Sequence, residues 1–276
     1  MVVLLSLCSA VAYGLSDFVG GLVTRRASVW AVAATSQATA AVLAIGLAAT
    51  NPAHPTVGDL SWGALAGLGA GAGNVFIYQG LARGRMAVVA PLSAIVAASV
   101  PMLVGCLTGE RLGALPVVGV LTALPAIWLV STSGNGLLHA DRADVVHGLL
   151  AGLGFGVQFS ALGQVHEQAG LTVLALSQVV SVVAIVTGAV AISAQWIPRD
   201  RYGRLGAVAG LLAGTATICF QLAVQRGLLT IAGVVASLYP AVTVLLAASI
   251  LREGIDRTQG VGLALAAAAV VLIASG

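Results

Sequence analysis

Charged residues are scarce in this 276-residue chain, and it contains no lysine at all. Asp, Glu, Lys and Arg together make up 8% of the residues, whereas a soluble globular chain carries roughly 25% because its surface faces water. A soluble domain is therefore excluded. Hydrophobic residues make up 59% and the mean hydropathy is +1.05, so we expect most of the surface to face lipid.

Cysteine is also rare, and its three copies lie apart inside apolar runs at Cys8, Cys106 and Cys219. No two have the CxxC spacing of a zinc site, so the sequence predicts neither a metal site nor a disulfide framework, and no cofactor is expected. The arginines are spread along the chain instead of forming a patch, which excludes a nucleic-acid role.

The N-terminal run MVVLLSLCSA could be a secretory signal that ends at Cys8. It lacks a basic region, and the apolar run continues to Val23, so a first membrane span is the better interpretation.

Ten segments of about 20 mostly apolar residues are long enough to cross about 30 Å of hydrocarbon. They cover residues 2–23, 29–50, 60–82, 86–107, 112–133, 145–165, 171–193, 205–225, 228–251 and 258–275. The predicted fold is an all-α polytopic membrane protein with ten transmembrane helices. The longest polar stretch, residues 135–144, lies at mid-chain, which predicts two five-helix halves, residues 1–137 and 138–276.

Internal repetition supports this division. At an offset of 143, GALAGLGAGAGNVFIYQGLARG (residues 63–84) aligns with GAVAGLLAGTATICFQLAVQRG (residues 206–227) without a gap. The same register aligns Glu110 with Glu253, and near an offset of 141 the pair Ser36-Gln37 recurs as Ser177-Gln178. Chance similarity of small residues is the alternative, but the polar residues recur as well. Because five is odd, the second half must be inverted, as in many secondary transporters.

Several motifs resemble the EamA-type family of the drug/metabolite transporter superfamily. They are the turns Gly109-Glu110-Arg111 and Arg252-Glu253-Gly254, the run AYGLSDFVGG in the first span, and Pro91 and Pro240 in the fourth and ninth. The resemblance implies a ten-helix exporter of amino acids, related metabolites or drugs, with a central cavity lined by both halves. It also implies that both termini lie in the cytoplasm.

The arginines favour the opposite orientation. Ten of the twelve fall in odd-numbered loops, and only Arg111 and Arg226 fall in even-numbered ones. Basic residues of short loops stay cytoplasmic, so this bias predicts that both termini lie outside. At this stage the orientation stays open.

Asp17 is the one charged residue that lies clearly inside a predicted span. Charge at that depth is costly and often marks a proton or substrate path. Tyr13, one turn earlier, could hydrogen-bond the carboxyl group. The functional hypothesis is a cation-contacting or proton-coupling acid. Alternatively, Asp17 snorkels, caps a helix break at Gly20-Gly21 or pairs with an arginine.

Polar side chains also follow the glycine-rich faces of the third and eighth spans. Asn74 aligns with Thr217 and Tyr78 with Gln221, which predicts cavity lining, with interhelical hydrogen bonding as the alternative. Buried amides would need partners on the next helix, because glycine neighbours offer none. Weaker candidates for the cavity are Gln37, Gln178, Gln158, Ser16 and Tyr239.

Proline and glycine positions predict helix shape. Pro91, Pro101 and Pro240 remove backbone donors and should kink the fourth and ninth spans, either as gating hinges or merely as shape. The rows Gly63-Gly67-Gly71, Gly206-Gly210-Gly214 and Gly148-Gly152-Gly156 are expected to be packing faces.

The sequence therefore predicts a secondary transporter of the cell membrane, not an enzyme. It would export small metabolites such as amino acids, amines or drug-like compounds by alternating access, with protons as a candidate coupling ion, as a monomer or weak dimer. One alternative is a membrane enzyme acting on a lipid or isoprenoid, but no HExxH, GxSxG or aspartate-rich motif is present. The other is a channel-like protein.

Overall fold

The computed structural model describes residues 1–50, 53–82, 86–131, 141–250 and 255–275. Their regular structure is helical, and the α-helices are α1 (Val2–Thr24), α2 (Val29–Thr50), α3 (Val57–Ala82), α4 (Met86–Leu107), α5 (Ala114–Ser131), α6 (Arg142–Gly163), α7 (Thr172–Ala191), α8 (Arg201–Val224), α9 (Leu229–Ala236), α10 (Tyr239–Ile250) and α11 (Arg257–Ala274). The all-α prediction is confirmed. The predicted boundary between the halves, at residues 137 and 138, lies outside the described residues.

Among the described residues, eight spans are long and apolar enough to cross a membrane, with α9 and α10 counted together as one of them. Two further apolar helices, Leu92–Leu107 and Ala114–Val130, are shorter. These helices match the ten predicted segments in order. The ninth segment differs, because it is broken at Ser237 and Leu238 into α9 and α10. Pro240 follows this break, and a proline has no N–H to donate to the carbonyl of Ala236, four residues earlier.

Several helices begin earlier than hydropathy predicts because polar residues cap them. The third span begins at Val57, where the Thr56 N–H donates to Oδ2 of Asp59 over 2.9 Å. The eighth begins at Arg201, where Oδ1 of Asp200 accepts from the Gly203 N–H over 2.6 Å. A capping side chain satisfies a backbone donor that the helix leaves unpaired, so the helix extends into a polar segment.

Equivalent helices of the two halves make reciprocal contacts. Gly67 of α3 lies against the carbonyl oxygen of Ser177 in α7, and Gly210 of α8 lies against the carbonyl oxygen of Ser36 in α2. Each contact is obtained from the other by exchanging the two halves, which is the pattern of an inverted repeat around an approximate two-fold axis. Any side chain at either glycine would meet backbone, so the predicted packing faces on α3 and α8 are confirmed.

The first helix of each half makes a similar reciprocal contact. Gly14 of α1 packs on Val242 of α10, and Gly156 of α6 packs on Val100 of α4. The row that contains Gly156 is thereby confirmed as a packing face. Small residues bring these backbones close, and this close packing of helices is how a bundle gains stability in lipid.

Contacts near the helix ends show which loops lie on the same side of the helix bundle. Nη1 of Arg26, after α1, donates to the hydroxyl of Tyr202 at the start of α8 over 3.0 Å. On the other face, Nδ1 of His166, after α6, lies 2.9 Å from Oδ1 of Asp59 at the start of α3. Odd-numbered loops therefore meet odd-numbered ones, and even-numbered loops meet even-numbered ones, as inverted halves require.

Candidate solute-binding site

The predicted site residues of α1 and α8 meet inside the bundle. The Tyr13 hydroxyl lies 2.9 Å from Oγ1 of Thr217. Thr217 already donates its own hydrogen to the Ala213 carbonyl over 2.8 Å, so Tyr13 is the donor to Thr217. The Tyr13 hydroxyl therefore donates to Thr217 of the second half and not, as predicted, to Asp17 of its own helix. The phenol oxygen of Tyr13 remains able to accept hydrogen bonds.

Asp17 lies partly buried on α1, and its carboxylate interacts electrostatically with the hydroxyls of Tyr13, Tyr78 and Tyr239. These tyrosines come from α1, α3 and α10, so three helices converge on one acid. The alternative in which Asp17 caps a break at Gly20-Gly21 is wrong, because α1 continues as a helix to Thr24.

Tyr78 is 1% exposed, and its hydroxyl oxygen lies 2.8 Å from the position that a Cβ on Gly20 would occupy. The missing side chain at Gly20 allows the phenol to lie against α1, one turn beyond Asp17. The sequence aligned Tyr78 with Gln221 but contained no signal for its contact with Gly20.

Aromatic rings form one wall of this region. The Tyr13 ring lies 5.8 Å from that of Phe159 and 6.3 Å from that of Tyr239, and Phe159 stacks on Phe220 at 4.4 Å. The Tyr239 hydroxyl donates to Oγ of Ser93 over 3.4 Å. The Asp17 carboxylate supplies the negative charge beside these rings, and a negative charge at this depth attracts a cation.

Two weaker candidates also lie near α1. The side chains of Gln158 and Tyr13 interact, and Gln158 is 3% exposed. Ser16 donates instead to the carbonyl of Ala209 over 2.9 Å, which attaches α1 to α8.

Gln37 and Gln178 form a separate cluster between α2 and α7. Nε2 of Gln37 lies 2.5 Å from Oγ of Ser181 and 3.4 Å from Oε1 of Gln178. Their bonds join helices of opposite halves, and their cavity-lining role stays a prediction.

Asn74 and Gln221 differ from the expected amide bonding. Nδ2 of Asn74, a partly buried residue, donates to the Ala70 carbonyl of its own helix over 2.9 Å, so this amide is bonded within α3, and its cavity-lining role stays a prediction. Gln221 is 1% exposed, and neither its Nε2 nor its Oε1 has a partner among the described residues. Both amides follow glycine-rich faces, yet only Gln221 is left unsatisfied.

The predicted hinge prolines lie in α4 and beside the break of the ninth span. Helix α4 runs unbroken from Met86 to Leu107 through Pro91 and Pro101. Pro101 packs against Gly233 of α9, with its Cγ 2.6 Å from the position of an added Cβ. Pro240 opens α10. A hinge role for these prolines stays a prediction.

Glu110 is a structural residue whose role the sequence did not reveal. Its carboxylate accepts from the backbone N–H groups of Leu229, over 2.5 Å, and of Thr230, over 3.0 Å, at the start of α9. A carboxylate at a helix N-terminus satisfies unpaired donors and the positive end of the helix dipole. The alignment with Glu253 marked Glu110 as a recurring residue, but the contact with α9 depends on tertiary structure.

In the part of the chain that the structure describes, His, Cys, Asp and Glu form no group of three that could hold a metal ion. The candidate site contains one carboxylate, phenols, amides and hydroxyls. Such groups bind and release solutes by hydrogen bonding and charge.

Comparison with known proteins agrees with this architecture. No curated protein matches the sequence. A solved crystal structure of another protein aligns with 98% of this chain and 95% of its own at a TM-score of 0.74, with 17% sequence identity, so the similarity concerns the fold. Residues 145–275 match the EamA-like transporter family, whose members are membrane transporters. This similarity to the EamA-like transporter family extends from α6 to α11.

Proposed function

We propose that this protein is a secondary transporter of the cell membrane that exports small organic amines by alternating access, and that Asp17 contacts the amine. The observation that carries the proposal is the position of Asp17, whose carboxylate interacts with the hydroxyls of Tyr13, Tyr78 and Tyr239. A carboxylate attracts an ammonium group by charge, and aromatic faces add cation–π attraction.

The helices that carry these groups support a site that can open alternately to each side. Tyr13 and Asp17 belong to the first half of the chain, and Thr217 and Tyr239 to the second. In secondary transporters with inverted repeats, the solute site lies near the midplane, and rocking of one bundle against the other exposes it to each side in turn. A proton that competes with the amine for the Asp17 carboxylate would couple export to proton entry.

Transport by protein reconstituted in liposomes tests the proposal. Wild type should take up an aliphatic amine in exchange for protons, and Asp17→Asn should lower this uptake at least about tenfold, because an amide cannot offer a full charge to the ammonium group. Asp200→Asn is the matched control. It removes the same charge from the cap of α8, where asparagine caps equally well.

Two results would contradict the proposal. One is normal amine uptake by Asp17→Asn at every pH and gradient. The other is uptake by wild type of neutral solutes of the same size at the rate of the amine.

A further inference from the structure

Two buried polar side chains, one on α1 and one on α8, have no hydrogen-bond partner among the described residues. Ser9 is fully buried and Gln221 is 1% exposed. Oγ of Ser9 and both polar atoms of Gln221 have no hydrogen-bond partner among the described residues. A buried polar group without a partner is costly, and nearly all such groups in folded proteins are satisfied. The missing partners of Ser9 and Gln221 therefore need an explanation.

The packing of α1 on α8 brings these two residues to one level. The Tyr13 hydroxyl meets Oγ1 of Thr217, and nearer the start of α1, Val2 packs on Gly227. The helices therefore run antiparallel. Ser9 lies one turn before Tyr13 on α1, and Gln221 lies one turn after Thr217 on α8, so each is on the helix face that carries the Tyr13–Thr217 contact. Because the helices are antiparallel, both residues are displaced from that contact by about 6 Å in the same direction.

We propose that Ser9 and Gln221 form a second subsite, which binds a neutral hydrogen-bonding group of the transported solute. The free amide of Gln221 offers a donor and an acceptor together, and the Ser9 hydroxyl is a further hydrogen-bonding group. A carboxamide or a hydroxyl group matches this pair. The subsite lies eight residues from Asp17 along α1, a rise of about 12 Å. The preferred solute is thus an elongated amine with an amide or hydroxyl group at its far end.

This inference rests on the proposed function, and its test compares two amines in one assay. One carries a terminal carboxamide, and the other a branched alkyl group of the same size. In counterflow exchange by wild type, the carboxamide compound should compete about 3- to 10-fold better, the size expected for a hydrogen bond to a group that is otherwise unsatisfied. Gln221→Leu should reduce this preference to about onefold, because it weakens the carboxamide compound more than the alkyl amine.

Ser9→Ala is the second variant, because it removes a smaller group and endangers folding less. It should lower the preference by about 2- to 3-fold. Thr215→Val is the matched control on α8. Thr215 is exposed and donates to its own helix at Leu211 over 2.8 Å, so the preference should persist in this variant.

The results distinguish failure of the subsite from failure of the proposed amine transport. If Gln221→Leu and Ser9→Ala both keep the wild-type preference, the polar atoms are satisfied by water and the subsite is refuted. Equal loss of both amines in either stable variant also refutes it. If wild type binds neither amine, or Asp17→Asn transports both normally, the proposed function fails instead.

Discussion

Gln37 and Gln178, which align in the two halves of the sequence, contact each other, with Nε2 of Gln37 3.4 Å from Oε1 of Gln178. Equivalent residues of a two-fold repeat can meet only near its axis. The axis therefore passes between α2 and α7, and the amides contribute to holding the halves together.

Removal of this amide contact should weaken the α2–α7 contact. Gln37→Leu loses the bonds to Ser181 and Gln178, and we expect a destabilisation of about 0.6–1.7 kcal/mol, the range for interhelical hydrogen bonds in membranes. The melting temperature of each variant in detergent measures this loss of stability. Thr39→Val is the control, because Thr39 bonds only within α2, to the Thr35 carbonyl. A variant as stable as this control would show that the amides contribute nothing.

The glycine contacts across the halves should tolerate no side chain. A methyl group on Gly210 would overlap the backbone of Ser36, so Gly210→Ala should destabilise the protein by about 1–3 kcal/mol through overpacking. Gly46→Ala is the control, since a Cβ there meets open space. It should match wild type or exceed it, because alanine favours helix. Equal melting temperatures for the two variants would contradict the reciprocal packing.

The cap that Glu110 provides for α9 should be needed for stability. Glu110→Ala leaves the N–H groups of Leu229 and Thr230 without their acceptor, with an expected cost of about 1–2 kcal/mol. Glu167→Ala is the control. It removes the same type of side chain from an exposed turn before α7, where the glutamate caps no long helix. Hydrogen exchange at the first turn of α9 should rise in Glu110→Ala alone; unchanged protection there would refute the cap.

The arginine distribution predicts the orientation in the membrane. Ten arginines lie in odd-numbered loops, and the contact between Arg26 and Tyr202 joins two helix ends of that face. Positive loops stay cytoplasmic, so the C-terminus should lie outside. A reporter enzyme that is active only outside the cytoplasm, fused after residue 276, should be active. A fluorescent protein that matures only in the cytoplasm, fused there instead, should stay dark. The reverse result would agree with the orientation that the family resemblance implies.

Much of the fold was predictable because lipid imposes a simple rule on the sequence. Uninterrupted apolar runs gave the helices and their order, and glycine rows gave the faces on which backbones approach. The distortion of the ninth span was predictable from Pro240, but a full break at Ser237 and Leu238 was not, because the residues around it are as apolar as the rest of the span. The early start of α8 was missed because hydropathy ignores the cap that Asp200 provides.

The site was predictable only in part. Asp17 was recognisable as a single charge inside an apolar run. Its surroundings depend on which helices pack together, and no spacing in the sequence states that Tyr239 of α10 approaches α1. The bonding of Asn74 was not predictable, because an asparagine in a helix can donate to the carbonyl four residues earlier instead of to a neighbouring helix.

The most direct test of the central claim is the binding of an amine to purified wild-type protein and to Asp17→Asn. We expect an aliphatic amine to bind wild type and Asp200→Asn with equal affinity, and to bind Asp17→Asn at least about tenfold more weakly, because the charge that faces the tyrosines is gone. A neutral compound of the same shape should bind all three proteins equally weakly. Unchanged amine affinity in a folded Asp17→Asn protein would contradict the account.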